Sequence, residues 1–204
     1  MKKFSLVIGA IVLFSLSLQA QRIKIESGDF DFLKGETIVN LEYDYSEMAV
    51  GKFDHEEDYV NKKVDEYNKK YPGTGRGDQW KEAWIGDRNS RFEPKFEELL
   101  NRYLKPKGIS MAPEHSDATY TMILKTTFTE PGFNVYITKK PAIIDVEVIF
   151  VETANPENVL GVISSVKNPG RTFGDADFDT GIRIAEAYAK CGKELAAFLV
   201  KKVL

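Results

Sequence analysis

The sequence predicts an α+β domain: a sheet of four or five strands, mainly antiparallel, with packed helices and a long helix closing the chain. Three observations predict it. Residues 118–166 alternate apolar and polar side chains with a period of two. Residues 178–203 change to a spacing of three and four. The first half holds two short alternating stretches, and helical patterns follow them.

Within the alternating region, Ala118, Tyr120, Met122, Leu124 and Phe128 share one parity, and Thr119, Thr121, Lys125, Thr127 and Thr129 the other. Successive strand side chains point to opposite faces, so the first set is expected inside. Ile143–Glu152 repeats the pattern with Ile144, Val146, Val148 and Phe150 inward. A turn over Thr153–Asn158 is expected to lead into a third strand, Val159–Val166, which Asn168-Pro169-Gly170 should stop.

The closing helix is expected from Phe178 to Val203. Its inner stripe reads Phe178, Ile182, Ala185, Ala189, Gly192, Ala196, Leu199 and Val203, beside a row of Ile184, Tyr188, Cys191, Leu195 and Phe198. The Ala and Gly residues predict a close approach of this helix to the sheet, since Gly has no other advantage in a helix interior. Lys201 and Lys202 suit the negative end of the helix dipole.

The segments "IDVEVIFVETANPENVLGVISSV" and "GIRIAEAYAKCGKELAAFLVKKVL" resemble the second half of a group of bacterial envelope domains. That group includes the TolB amino-terminal domain, the LpoB-type penicillin-binding-protein activators and the CsgG-like secretion lipoproteins. The resemblance covers roughly the last 90 residues and implies a fold and an envelope location rather than an activity. In that group an acidic–Thr–Gly-like turn joins the strands; here Glu152-Thr153 and Asn155 to Asn158 form it without the Gly.

The amino terminus agrees with an envelope address. Lys2-Lys3 precedes an apolar run, Leu6–Leu18, and Ala20 stands before Gln21, the pattern of a secretory signal peptide. Residues 1–20 are therefore expected as a leader and residues 21–204 as one domain, periplasmic or secreted, with no membrane span after cleavage. The other reading of the same run is an uncleaved anchor. No Cys lies near the cut, so the lipid attachment of the lipoprotein relatives is not expected here.

Composition narrows the functions. The formal net charge of −3 gives no basic face for nucleic acid. One Cys excludes an internal disulfide, and Cys191, on the apolar flank of the last helix, is expected buried. His55 and His115 form no ligand-spaced pair, and neither G-x-S-x-G nor H-E-x-x-H occurs. No catalytic residue can be named from the sequence.

The first half is expected to give an edge strand at Arg22–Glu26 and a second strand at Thr37–Tyr45. A helix capped by Asp54 should follow, with Tyr59, Val60, Val64, Tyr67 and Tyr71 on its apolar side. The glycines 73, 75 and 77 read as a linker, since neither phosphate-loop spacing is met. Trp80, Ala83 and Trp84 mark another helix, with an interruption near Gly86, and Phe92, Phe96, Leu99, Leu100 and Tyr103 mark the next.

Two stretches are candidate sites. Asp175, Asp177, Asp179 and Glu186 fall at the spacing of an EF-hand calcium loop, but its Gly and entering helix are missing; an acidic helix start, capped by Asp177 or Asp179, is the competing reading. Glu130–Pro141 links two strands and carries Phe133, Val135, Tyr136 and Ile137 beside Lys139 and Lys140. Its apolar side chains either tuck back on the sheet or extend the strands, or they form an exposed tip that meets a partner.

The expected function is a non-catalytic interaction or scaffold module of the cell envelope, whose partner is an envelope protein of unknown identity. The alternatives are a calcium or small-ligand binding protein and an uncatalogued hydrolase.

Overall fold

The computed structural model describes residues 22–135, 137–171 and 178–204. The expected leader, Tyr136, Asp175 and Asp177 lie outside them.

Alternation over the carboxy-terminal third builds the centre of a sheet with seven strands among the described residues. Strand β5 (Tyr120–Glu130) pairs antiparallel with β8 (Ala142–Glu152), and β8 pairs antiparallel with β9 (Asn155–Gly170). Edge strand β1 (Arg22–Gly28) adds antiparallel to β9. On the other side, β2 (Ile38–Asp44) runs parallel to both β5 and β4 (Ser110–Ala112), while β3 (Ala49–Val50) extends along β5. The sheet exceeds the expected four or five strands because β3 and β4 are too short to show alternation.

Parallel pairing needs a crossover, and the helices supply it. They are α1 (Glu56–Lys70), α2 (Arg76–Asp87) and α3 (Glu93–Leu104), and they lie between β3 and β4 in the chain. Helices α2 and α3 are joined without a break by a π-helical turn, Arg88–Phe92. The interruption expected near Gly86 is thus a change of winding two residues later. His55 rather than Asp54 stands at the amino-terminal cap of α1, and its side chain makes no capping bond.

Met122, Leu124, Ile144, Val146, Val148 and Phe150 are buried as the alternation requires. Phe128 is not among them. A bulge between Thr126 and Phe128 reverses the parity beyond it, so Thr129 turns inward in place of Phe128, while Thr126 keeps the inward parity of Met122 and Leu124. Both find partners: Thr126 Oγ1 lies 2.7 Å from Tyr188 Oη, and Thr129 donates to Met48 Sδ.

Strand β9 does not stop at Asn168-Pro169. Strand β1 pairs only with Gly161–Val166, so Pro169 interrupts no ladder on that side. Lys167, at φ 61°, donates its N–H to Asp145 Oδ1, and the Asn168 amide donates to the carbonyls of Ile144 and Ser165. Side chains thereby replace the lost ladder bonds.

Helix α4 (Thr180–Lys202) closes the fold. Its central buried row is Ile184, Tyr188, Cys191, Leu195 and Leu199. The Ala/Gly stripe faces α3 instead of the sheet: a Cβ at Gly192 would stand 2.4 Å from the Phe96 carbonyl oxygen. Ala185 and Ala189 line the grooves between the same two helices. Close approach therefore occurs, but between helices. Phe178, expected inside, is 44% exposed. On the sheet side the small residue is Gly170, where a Cβ would meet the Arg183 carbonyl oxygen at 1.9 Å. Among the described residues, no helix is long and apolar enough to cross a membrane.

Candidate functional site

The segment between β5 and β8 forms a small hairpin of its own. Strand β6 (Phe133–Asn134) pairs antiparallel with β7 (Lys139–Lys140), and the Val135 N–H donates to the Thr138 carbonyl to close the turn. Its base is tied in three ways. Gly132 takes φ +66°, and a Cβ there would stand 2.4 Å from the Lys140 carbonyl oxygen. Glu130 accepts from the Gly132 N–H at 3.1 Å and from Lys140 Nζ at 2.5 Å. Arg183, only 3% exposed on α4, donates to the carbonyls of Pro131 and Gly132 and to Thr180 Oγ1.

Above that base the apolar side chains stand in water. Ile137 is 97% exposed, Val135 53% and Phe133 43%. These three side chains are exposed rather than folded back on the sheet.

Beside the hairpin lies a cleft of about 770 Å³. One wall is aromatic: Trp80 stacks on Tyr67 and on Trp84, and Tyr59 leans on Trp84. This wall exists because α1 and α2 pack tightly at Gly77, whose Cβ would lie 2.6 Å from the Val64 carbonyl oxygen and whose N–H donates to Asn68 Oδ1. The glycine-rich stretch is thus a helix-hairpin turn. The opposite wall brings together Phe133 and Asn134 of the hairpin with Asp179, Thr180 and Arg183.

Charges at the cleft are paired. Arg91 contacts Asp87 through Nε at 3.0 Å and both oxygens of Asp179 through Nη1 at 3.0 Å. Asp179 also caps α4 by accepting the Ile182 N–H. Burial alone would raise the Asp179 pKa, but the Ile182 amide and Arg91 outweigh it, so the carboxyl sits below its ordinary range. Asp87 goes the other way: burial and then Asp179 raise it, against the pull of Arg91.

Of the calcium-spaced residues, Asp179 and Glu186 are described and do not converge. Asp179 faces Arg91, whereas Glu186 lies 3.8 Å from Lys95. Among the described residues, no three His, Cys, Asp or Glu side chains are grouped to hold a metal ion.

A second polar cluster escaped sequence reasoning. Arg88, in the π turn, binds both oxygens of Glu56, which also accepts from Trp84 Nε1. The Arg88 guanidinium lies over the Tyr45 ring. Tyr43 donates to Glu97 at 2.8 Å and Tyr45 to Glu93 at 3.2 Å. Burial raises the pKa of Glu93 and of Glu97 despite these bonds. The space beside Tyr45, Glu56 and Arg88 is about 10 Å³, room for no more than a water. This cluster fastens α1, α2 and α3 to β2. Conversely, the charge partners gave no sequence signal, since Arg88 and Glu56 lie 32 residues apart.

The described residues thus define an α+β domain with a hairpin held at its base and exposed at its tip. No family model matches the chain, and no curated protein matches it. Among solved structures, it is similar to a PelC dodecamer from Paraburkholderia phytofirmans, at 11% identity and TM-score 0.39 over 87% of this chain and 98% of that one. A variant PelC dodecamer from the same organism gives 12% and 0.35, over 84% and 97% of the two chains. Protein XCC0632 from Xanthomonas campestris, of DUF330, gives 9% and 0.31, over 80% and 85%.

Proposed function

We propose that the chain is a non-catalytic interaction module of the cell envelope, periplasmic or secreted, whose contact element is the β6–β7 hairpin. The observation that carries this reading is the tip: Ile137 is 97% exposed on a hairpin whose base is fixed by Arg183, Glu130 and Gly132. Aliphatic side chains held in water add nothing to the core, and such patches mark contact sites. Loops on rigid scaffolds are where binding residues concentrate. The amino-terminal pattern of Lys2-Lys3, Leu6–Leu18 and Ala20 supports the compartment. So does the resemblance of the last third to TolB amino-terminal, LpoB-type and CsgG-like envelope domains.

A photo-crosslinker at Thr138, beside the tip, tests the reading in intact cells. It should capture an envelope component when placed there and capture nothing from an exposed site on α1 such as Lys62. Equal capture from both positions, or from neither, rejects the hairpin as contact element.

A further inference from the structure

We propose that the hairpin tip docks on an anionic lipid surface; this rests on the hairpin being the contact element and names what it contacts. The tip is aliphatic, with Ile137 and Val135 exposed. Its flank is basic, since Lys139 and Lys140 follow and no acidic residue lies between Pro131 and Pro141, in a chain whose net charge is −3. Lys140 is tied to Glu130, so Lys139 is the cation at the tip. An acidic body with a basic, apolar tip approaches an anionic surface tip first, because the rest of the molecule is repelled.

Size points the same way. Each strand of the hairpin has two residues, so the tip alone is small beside the roughly 1,200–2,000 Å² that a stable protein interface buries. A few aliphatic side chains with an adjacent cation suffice for weak, reversible attachment to a bilayer interface. The Arg183 and Glu130 contacts fix the base of the hairpin, which lowers the ordering cost of docking.

The test uses the purified protein with vesicles of phosphatidylcholine alone and of phosphatidylcholine mixed with phosphatidylglycerol. In an Ile137→Trp variant, tryptophan emission should shift to the blue with the anionic vesicles only. Cosedimentation of the wild type with those vesicles should fall about tenfold or more in Val135→Asp/Ile137→Asp. It should weaken in Lys139→Gln and with added salt. Absence of the blue shift, or equal sedimentation of the double variant, overturns the proposal. A photo-crosslinker at Thr138 separates this failure from that of the functional reading. Capture of a protein without vesicle binding overturns lipid docking and keeps the interaction module. Neither capture nor vesicle binding overturns both.

Discussion

Arg183 Nη2 donates to the carbonyl oxygen of Gly132 at 3.3 Å, joining the buried first turn of α4 to the base of the exposed hairpin. A charged side chain inside an apolar helix face is costly unless its donors are used. Here some of them position the hairpin, through the carbonyls of Pro131 and Gly132. Replacing Arg183 with Met keeps the length and removes the donors, leaving carbonyls of Pro131 and Gly132 without them. The expected cost is about 1–3 kcal/mol in chemical denaturation. Amide exchange in 132–140 should rise by more than in β8. Equal exchange in both regions would show that Arg183 does not hold the hairpin.

Gly192 sets the spacing of α3 and α4. Gly192→Ala places a methyl where the Phe96 carbonyl oxygen stands at 2.4 Å, so the helices must separate. Intrinsic helix propensity favours Ala by about 1 kcal/mol, yet overpacking costs typically 1–3 kcal/mol. A lower denaturation midpoint is expected. A raised midpoint would mean that propensity wins and the contact is loose.

Cys191 is fully buried, and burial pushes its thiol up to about 12. It should resist a thiol reagent at pH 8 in the folded protein and react promptly in denaturant. Rapid labelling without denaturant would place it at an accessible surface.

Two carboxyls give opposite pH signatures. The folded pKa of Asp179 is lowered, so its stabilisation is present above the unfolded value, near ~3.9, and is lost as pH falls through the folded one. Asp179→Asn should therefore lower the midpoint at pH 7 and leave little difference at pH 3. The folded pKa of Glu97 is raised, so its ionisation costs stability as pH rises above ~4.3. Glu97→Gln should match or exceed the wild type at pH 7 and lose that advantage at low pH. The reverse order for either variant would contradict the assigned environment.

Much of the fold was legible because its signals are local. Met122, Leu124, Val146 and Val148 were read from alternation, and α4 from its spacing. The inward turn of Thr129 was not, because the bulge between Thr126 and Phe128 is set by pairing with β8 rather than by the residues themselves. The parallel placement of β2 was also hidden, since pairing direction belongs to the crossover helices. The small-residue stripe of α4 correctly foretold close packing; which neighbour it met was a tertiary matter. At the hairpin, sequence showed the apolar residues but not their exposure. The residues that organise the site were silent for the same reason: Arg183 meets Pro131 across 52 positions and Arg91 meets Asp179 across 88.

The central claim is that the hairpin tip makes contact and contributes nothing to the fold. A Val135→Ser/Ile137→Ser variant carrying a photo-crosslinker at Thr138 measures both at once, by denaturation midpoint and by capture in intact cells. The account predicts an unchanged midpoint and lost capture. A lowered midpoint with capture intact would contradict it, showing that the tip packs on its own protein.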